Sequence, residues 1–271
     1  MSIDGMRFVI TGSAAGIGAS TAKLAASRGA RVVVSDMNDE AGEAVAASIR
    51  EAGGDAVYQH CDVTDDEQVK ALMAAANDAF GGIDVLHNNA GIHESMISSD
   101  LGLESMSRDT FEQIMGVNVT GVWLCAKYAL PYLRESGYPS IINAGSSSSL
   151  TGYPQCQAYG ASKGAVMQLT KMLAVDLAPD GIRVNCYCPA SIHTQIVDKF
   201  LEAAPDPKAM LNTMTQTHLI PRMGQPDDVA ELVCYLAGTE SRFVNGAVWV
   251  IDGGSLAWRG TLDVLGMEPQ A

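Results

Sequence analysis

The chain has 271 residues, enough to bury a large core, and reads as one extended α/β domain rather than two small ones. Seventeen Lys and Arg stand against 31 Asp and Glu, and the resulting formal charge of −14 excludes the basic footprint that nucleic acid or an anionic membrane requires. The 47% hydrophobic content suits a globular fold, the six cysteines form no CxxC pair, and neither a leader nor a membrane-length apolar segment is visible, so a reducing, cytoplasmic setting is expected.

Short β-branched runs alternate with helical patterns. Phe8-Val9-Ile10 reads as a strand, Ala19 to Ser27 as a helix, Val32-Val33-Val34 as a strand, Glu40 to Glu51 as a helix and Ala56-Val57-Tyr58 as a strand. The alternation continues with a helix near 67–80, a strand at 83–87, a long helix near 110–133, a strand at 140–144, a helix carrying Tyr159, a strand at 183–188, a helix near 227–236 and a last strand at 247–251. This order predicts an α/β doubly wound parallel sheet of about seven strands, a Rossmann fold, whose strands are continuously apolar because helices cover both faces. No linker divides the chain. The least regular stretch, 195–225, follows the carboxyl end of a strand, where ligands bind in such sheets, and reads as a substrate lid or as an insertion packed on the body.

The first strand runs into the first helix through Thr11-Gly12-Ser13-Ala14-Ala15-Gly16-Ile17-Gly18. Glycines there let backbone amides approach a pyrophosphate, and the helix N-terminus supplies oriented N–H groups. Gly12, Ser13, Ala15, Gly16, Ile17 and Gly18 are therefore candidate dinucleotide contacts. Asp36 closes the second strand eighteen residues beyond Gly18, where a carboxylate accepts hydrogen bonds from ribose hydroxyls and repels a 2′-phosphate. With Met37 next to it and no nearby Arg or Lys, the preferred cofactor is NAD. Asp36 could also cap the helix starting near Asp39.

Tyr159 and Lys163 stand at i and i+4 on one helix, with Ser146 thirteen residues upstream. At about 4 Å and an effective dielectric near 20, an ammonium favours phenolate by roughly 4 kcal/mol, about three pKa units, which would bring the phenol toward neutrality. Such a pair is also an ordinary surface contact on many helices.

With these residues in place the chain resembles the compact branch of the short-chain dehydrogenase/reductase family over roughly residues 6 to 254. The glycine loop, Asn88-Asn89-Ala90-Gly91 and the YxxxK of Tyr159 and Lys163 carry the resemblance. It implies a catalytic tetrad of Asn118, Ser146, Tyr159 and Lys163, in which Asn118 distorts its helix and orders a water next to Lys163. It implies further cofactor contacts at Asp62, Val63, Asn89, Ala90, Gly91, Pro189, Ile192 and Thr194. Gly145, His87 and Ala190 depart from the usual serine, aliphatic residue and glycine.

The implied reaction interconverts a secondary alcohol and a ketone, Tyr159 moving the proton and Ser146 holding the oxygen. A ketoreductase acting on acyl carrier protein, an NAD-recycling epimerase or dehydratase, and a non-catalytic NAD sensor are the other readings. Candidate substrate contacts are His93, Glu94, Ser148, Tyr153, Gln155, Cys156 and Ala190, with Phe200, Met210 and Met214 from the lid. Being more apolar than charged, they suggest a neutral and perhaps cyclic substrate. The histidines show no metal-like spacing, so no metal is expected. The tail, 255–271, is too apolar to be purely solvated, and the resemblance implies a homotetramer in which such tails meet a neighbouring subunit.

Overall fold

In the computed structural model, residues 3–258 and 260–268 are described. Seven parallel strands form one sheet in the order β3-β2-β1-β4-β5-β6-β7: β1 Arg7–Thr11, β2 Arg31–Asp36, β3 Asp55–His60, β4 Val85–Asn88, β5 Ser140–Ala144, β6 Arg183–Pro189 and β7 Val248–Ile251. The order reverses between β1 and β4. That switch point opens a crevice at the carboxyl ends of the strands.

The helices are α1 Gly16–Ser27, α2 Asp39–Glu51, α3 Asp66–Phe80, α4 Arg108–Met115, α5 Gly121–Leu133, α6 Gln157–Asp176, α7 Gln195–Ala203, α8 Pro207–Gln216 and α9 Pro226–Ala237. Successive strand residues point to opposite faces. Phe8 and Ile10 accordingly join a core under α1, α2 and α9, whereas Val9 joins one under α3, α5 and α6. Both cores are dry. Burying each Val or Ile of this kind contributes roughly 1.5–3 kcal/mol.

Three expectations are modified. The long helix near 110–133 is two helices joined by a π-helical segment, Gly116–Thr120, centred on Asn118. The lid contains two regular helices, α7 and α8, joined at Ala204 to Asp206; the side chain of Phe200 lies outside the described residues. In the tail, Leu262 is buried on a short turn, Leu262–Leu265, while Leu256, Val264 and Leu265 are exposed; residues 259 and 269–271 lie outside the described part.

Candidate active site

Between β1 and α1 the chain turns through Gly12 (φ +64°) and Gly16 (φ +55°), both in the left-handed region. A methyl on Gly12 would lie 2.7 Å from the Ala90 Cα, and one on Gly18 would lie 2.3 Å from the Gly12 carbonyl oxygen. The loop is fastened from β4: Asn89 Nδ2 donates to the carbonyls of Thr11 (3.1 Å) and Gly12 (2.7 Å), and Thr11 Oγ1 accepts from the Asn89 and Ala90 amides at 3.2 Å. The N-terminus of α1 has no side-chain cap and no acidic residue in its first turn. Those orphan N–H groups and the positive dipole end suit a pyrophosphate.

Asp36 completes the cradle. Its Oδ2 accepts from the Ala14 amide at 3.0 Å and its Oδ1 from the Asn38 amide at 3.0 Å. It does not cap α2, since Asn38 does so by accepting from the Ala41 amide. Likewise α3 is capped by Asp65, while Asp62 Oδ1 binds the amide and hydroxyl of Thr64.

A cavity of about 330 Å³ runs along this crevice. Gly12, Ala15, Gly16, Ile17, Asp36, Met37, Asp62, Val63, Asn89, Ala90, Gly91, Pro189 and Thr194 line it, together with Tyr159 and Lys163. Three expected cofactor residues stand off its wall. Ser13 is fully buried, donating to Ile10 O and accepting from the Ser35 amide. Gly18 serves close packing, and Ile192 lines a second cavity against Gly224. Sequence reasoning missed Ile92, Met96, Val117, Tyr187, Gln195 and Ile196 in the wall. Adjacency was the available signal, because most of them flank a recognised motif.

The four residues expected to form the tetrad come together where α6 crosses the ends of β5 and β6. Ser146 is the serine whose hydroxyl reaches Tyr159, while the Ser147 hydroxyl pairs with that of Tyr153 at 3.2 Å. Lys163 is buried, and its ammonium donates to Ala144 O at 2.8 Å. Gly91 leaves it room, since a methyl there would lie 3.1 Å from Nζ. Asn118 has both amide atoms engaged: Oδ1 accepts from the Ile92 amide (2.8 Å), and Nδ2 donates to Ile92 O (2.9 Å) and Ser162 Oγ (3.0 Å). The π-helical segment turns it inward.

The expectation that Lys163 brings the phenol pKa down toward neutral pH is corrected. Lys163 Nζ stands 5.6 Å from the centre of the Tyr159 ring and donates a hydrogen bond to Ala144 O. Burial dominates and pushes the Tyr159 hydroxyl up to about 12, with the Ser146 hydrogen bond pulling the other way. Burial also pulls Lys163 down to about 8.

Among the described residues, none of the candidate substrate contacts lines the main cavity. His93 is buried, its ring 4.9 Å from that of Tyr159 and its Nε2 3.0 Å from Cys156 Sγ. Glu94 is fully buried beneath α6. The Cys156 thiol is pushed up to about 11 by burial. Tyr153 and Gln155 are exposed, and Gln155 is the one described non-glycine residue with positive φ (56°). Ser148 keeps a buried hydroxyl without a partner, Met214 is half-buried on α8, and Ala190 borders the second cavity.

The three departures from the family pattern have local reasons. A side chain on Gly145 would meet the sulfurs of Cys188 (2.7 Å) and Cys186 (2.8 Å). His87 pairs through Nε2 with the Tyr187 hydroxyl at 2.9 Å. Ala190 has no left-handed backbone that would demand glycine.

A doubly wound sheet that brings a glycine-rich strand-to-helix turn and the Tyr159 and Lys163 pair onto one cavity is the architecture of a dinucleotide-dependent α/β oxidoreductase. Residues 12–255 match a family model described as enoyl-(acyl carrier protein) reductase. The chain belongs to the short-chain dehydrogenase/reductase family. It is 37% identical over 256 residues to a 2,5-dichloro-2,5-cyclohexadiene-1,4-diol dehydrogenase of Sphingobium indicum, covering 94% of this chain and 98% of that one. It is 38% identical to a cis-4-hydroxycyclohexanecarboxylate dehydrogenase of Sinomonas cyclohexanicum (92% and 96% covered). To a 3-alpha-(or 20-beta)-hydroxysteroid dehydrogenase of Mycobacterium tuberculosis it is 40% identical (92% and 88% covered). The crystal structure of levodione reductase superposes with a TM-score of 0.88 at 30% identity, covering 94% of this chain and 99% of that one.

Proposed function

We propose that the protein interconverts a secondary alcohol and a ketone on a neutral, largely apolar, cyclic substrate, with NAD as the hydride carrier. The observation that carries this reading is one cavity lined by the glycine loop and Asp36 as well as by Tyr159 and Lys163. Among the described residues lining it, Lys163 is the only basic one, so nothing there would hold a 2′-phosphate. The relatives named for cyclohexadienediol, hydroxycyclohexanecarboxylate and hydroxysteroid substrates support a cyclic alcohol.

Gly12, Gly16, Asp36, Asn89 and Thr194 would hold the dinucleotide, whose nicotinamide supplies the hydride acceptor or donor when bound. The chain's own residues handle the oxygen and the proton. In oxidation the Tyr159 oxygen takes the hydroxyl proton, and the Ser146 hydroxyl donates to the substrate oxygen as its charge develops. Lys163 holds positive charge in the same wall, favouring the phenolate that must be present before the substrate proton can move to it. Reduction runs the same transfers backwards.

The test is a panel of cyclic and acyclic secondary alcohols, read by formation of reduced cofactor with NAD and with NADP in parallel. Turnover of cyclic alcohols with NAD, at least about tenfold faster than with NADP, is expected from the charge repulsion at Asp36. Preference for NADP, or inertness toward every alcohol and ketone in the panel, would overturn the reading.

A further inference from the structure

The helix that carries Tyr159 begins without a cap of its own. Its N-cap residue, Cys156, makes no side-chain hydrogen bond to the first turn. The first-turn amides of a helix are orphan donors, and burying them unpaired is costly. Here a carboxylate from a segment 64 residues earlier in the chain reaches them. Glu94 is fully buried, and its Oε1 accepts from the amides of Ala158 (3.2 Å) and Tyr159 (3.4 Å).

Glu94 is itself held in place. It opens a short turn, Glu94–Met96, that directly follows the Asn88 to Gly91 motif on the cavity wall. His93, its neighbour, receives the Ser95 amide on Nδ1 (3.1 Å), which puts the ring proton on Nε2. That Nε2 stands 3.0 Å from Cys156 Sγ and 3.6 Å from Glu94 Oε2, and the ring lies against that of Tyr159. Glu94 Oε2 makes no hydrogen bond. His93 and Glu94 therefore bracket the first turn of α6, one from the side of the phenol ring and the other from the backbone.

We propose that Glu94 is a positioning residue for Tyr159: its buried carboxylate caps α6 in trans and so fixes where the phenol stands relative to Ser146. This rests on Tyr159 being the proton-transfer group. The carboxylate also lies close enough to bias that proton. Glu94, Cys156 and Cys188 each disfavour the phenolate, burial being the largest influence and the Ser146 hydrogen bond the opposing one. The titratable and charged groups facing the phenol are thus His93 and Glu94 from the 93–96 segment, Cys156 from the N-cap of α6 and Lys163 from α6 itself, and Tyr187 and Cys188 from β6.

The experiment compares the pH profile of kcat/KM for oxidation of an alicyclic secondary alcohol by wild type, Glu94→Gln and Glu94→Ala, with circular dichroism to confirm folding. Glu94→Gln keeps an oxygen for both amides and removes the charge. It should hold kcat on the plateau within about threefold while the rising limb moves to lower pH by about half a unit. Glu94→Ala removes the acceptor and should lower kcat about tenfold or more with the KM for the cofactor unchanged. A Glu94→Gln limb superimposed on that of wild type would overturn the proposal even if Glu94→Ala does not fold. So would a folded Glu94→Ala with wild-type kcat and limb. Tyr159→Phe, run alongside, separates the two levels: if it keeps turnover, the function proposed above fails, whatever Glu94 does.

Discussion

At the scale of single residues, the spacing of Tyr159 and Lys163 identified a pair on one helical face, and the fold shows what spacing cannot. Proximity along a helix says nothing of burial, and burial sets both groups. The phenol sits at about 12 and the ammonium at about 8. The sign for catalysis follows directly. Oxidation needs the phenolate, so its kcat/KM should rise with pH through the alkaline range, while reduction, which needs the phenol, should be flat below and fall at the highest pH. Opposite slopes in the two directions check this, and parallel slopes would contradict it. Asp36 offers a second test. Asp36→Ala should weaken NAD binding by about tenfold, the loss of one charge-assisted hydrogen bond, as read by calorimetry; unchanged affinity would show that the carboxylate serves only the Ala14 and Asn38 amides.

At the scale of elements, the strands were legible because their apolar runs are continuous and their ends carry glycine or polar residues. The break in the long helix was legible only through the resemblance at Asn118. Its physical cause is an asparagine whose amide pairs with Ile92 and Ser162 rather than with solvent. The tie between Glu94 and α6 was not legible, because it joins segments far apart in the chain and a glutamate beside a pocket motif reads as a pocket residue. The His87 and Tyr187 pair left a fainter trace: two polar residues within fully buried strands, which only the sheet order brings together over β5. Arg183 is a further buried strut. Its Nη1 donates to Leu236 O (2.9 Å) and Ser241 Oγ (3.0 Å), closing the C-terminal end of α9. Arg183→Met should cost about 3 kcal/mol by removing several buried charge-assisted hydrogen bonds at once, a Tm decrease of about 6–10 °C, with KM unchanged. A Tm within about a degree of wild type would contradict that role.

For the molecule as a whole, the reversal of strand order between β1 and β4 places the glycine loop, the Asn88 to Gly91 motif and α6 around one crevice. Stability should carry the mark of the fully buried His87. Burial holds His87 neutral down to about 3, against an ordinary 6.5. Below pH 6.5 the unfolded chain takes up a proton that the folded chain refuses, so stability falls as pH drops from 6.5 toward 3, at about 1.4 kcal/mol per pH unit for this group. His87→Leu should therefore flatten the dependence of Tm on pH between 6.5 and 4.5; parallel curves would contradict it. The exposed Leu256, Val264 and Leu265 of the tail support the proposed homotetramer. Light scattering should report four copies, and a monomer would overturn that reading.

The central claim is that Tyr159 transfers the proton in an NAD-linked oxidation of a cyclic secondary alcohol. Its most direct test is the turnover of Tyr159→Phe beside its affinity for NAD. The account predicts that the variant binds NAD as wild type does and loses about 10²- to 10⁴-fold in kcat. A variant that binds NAD and still turns over within about tenfold of wild type would contradict it.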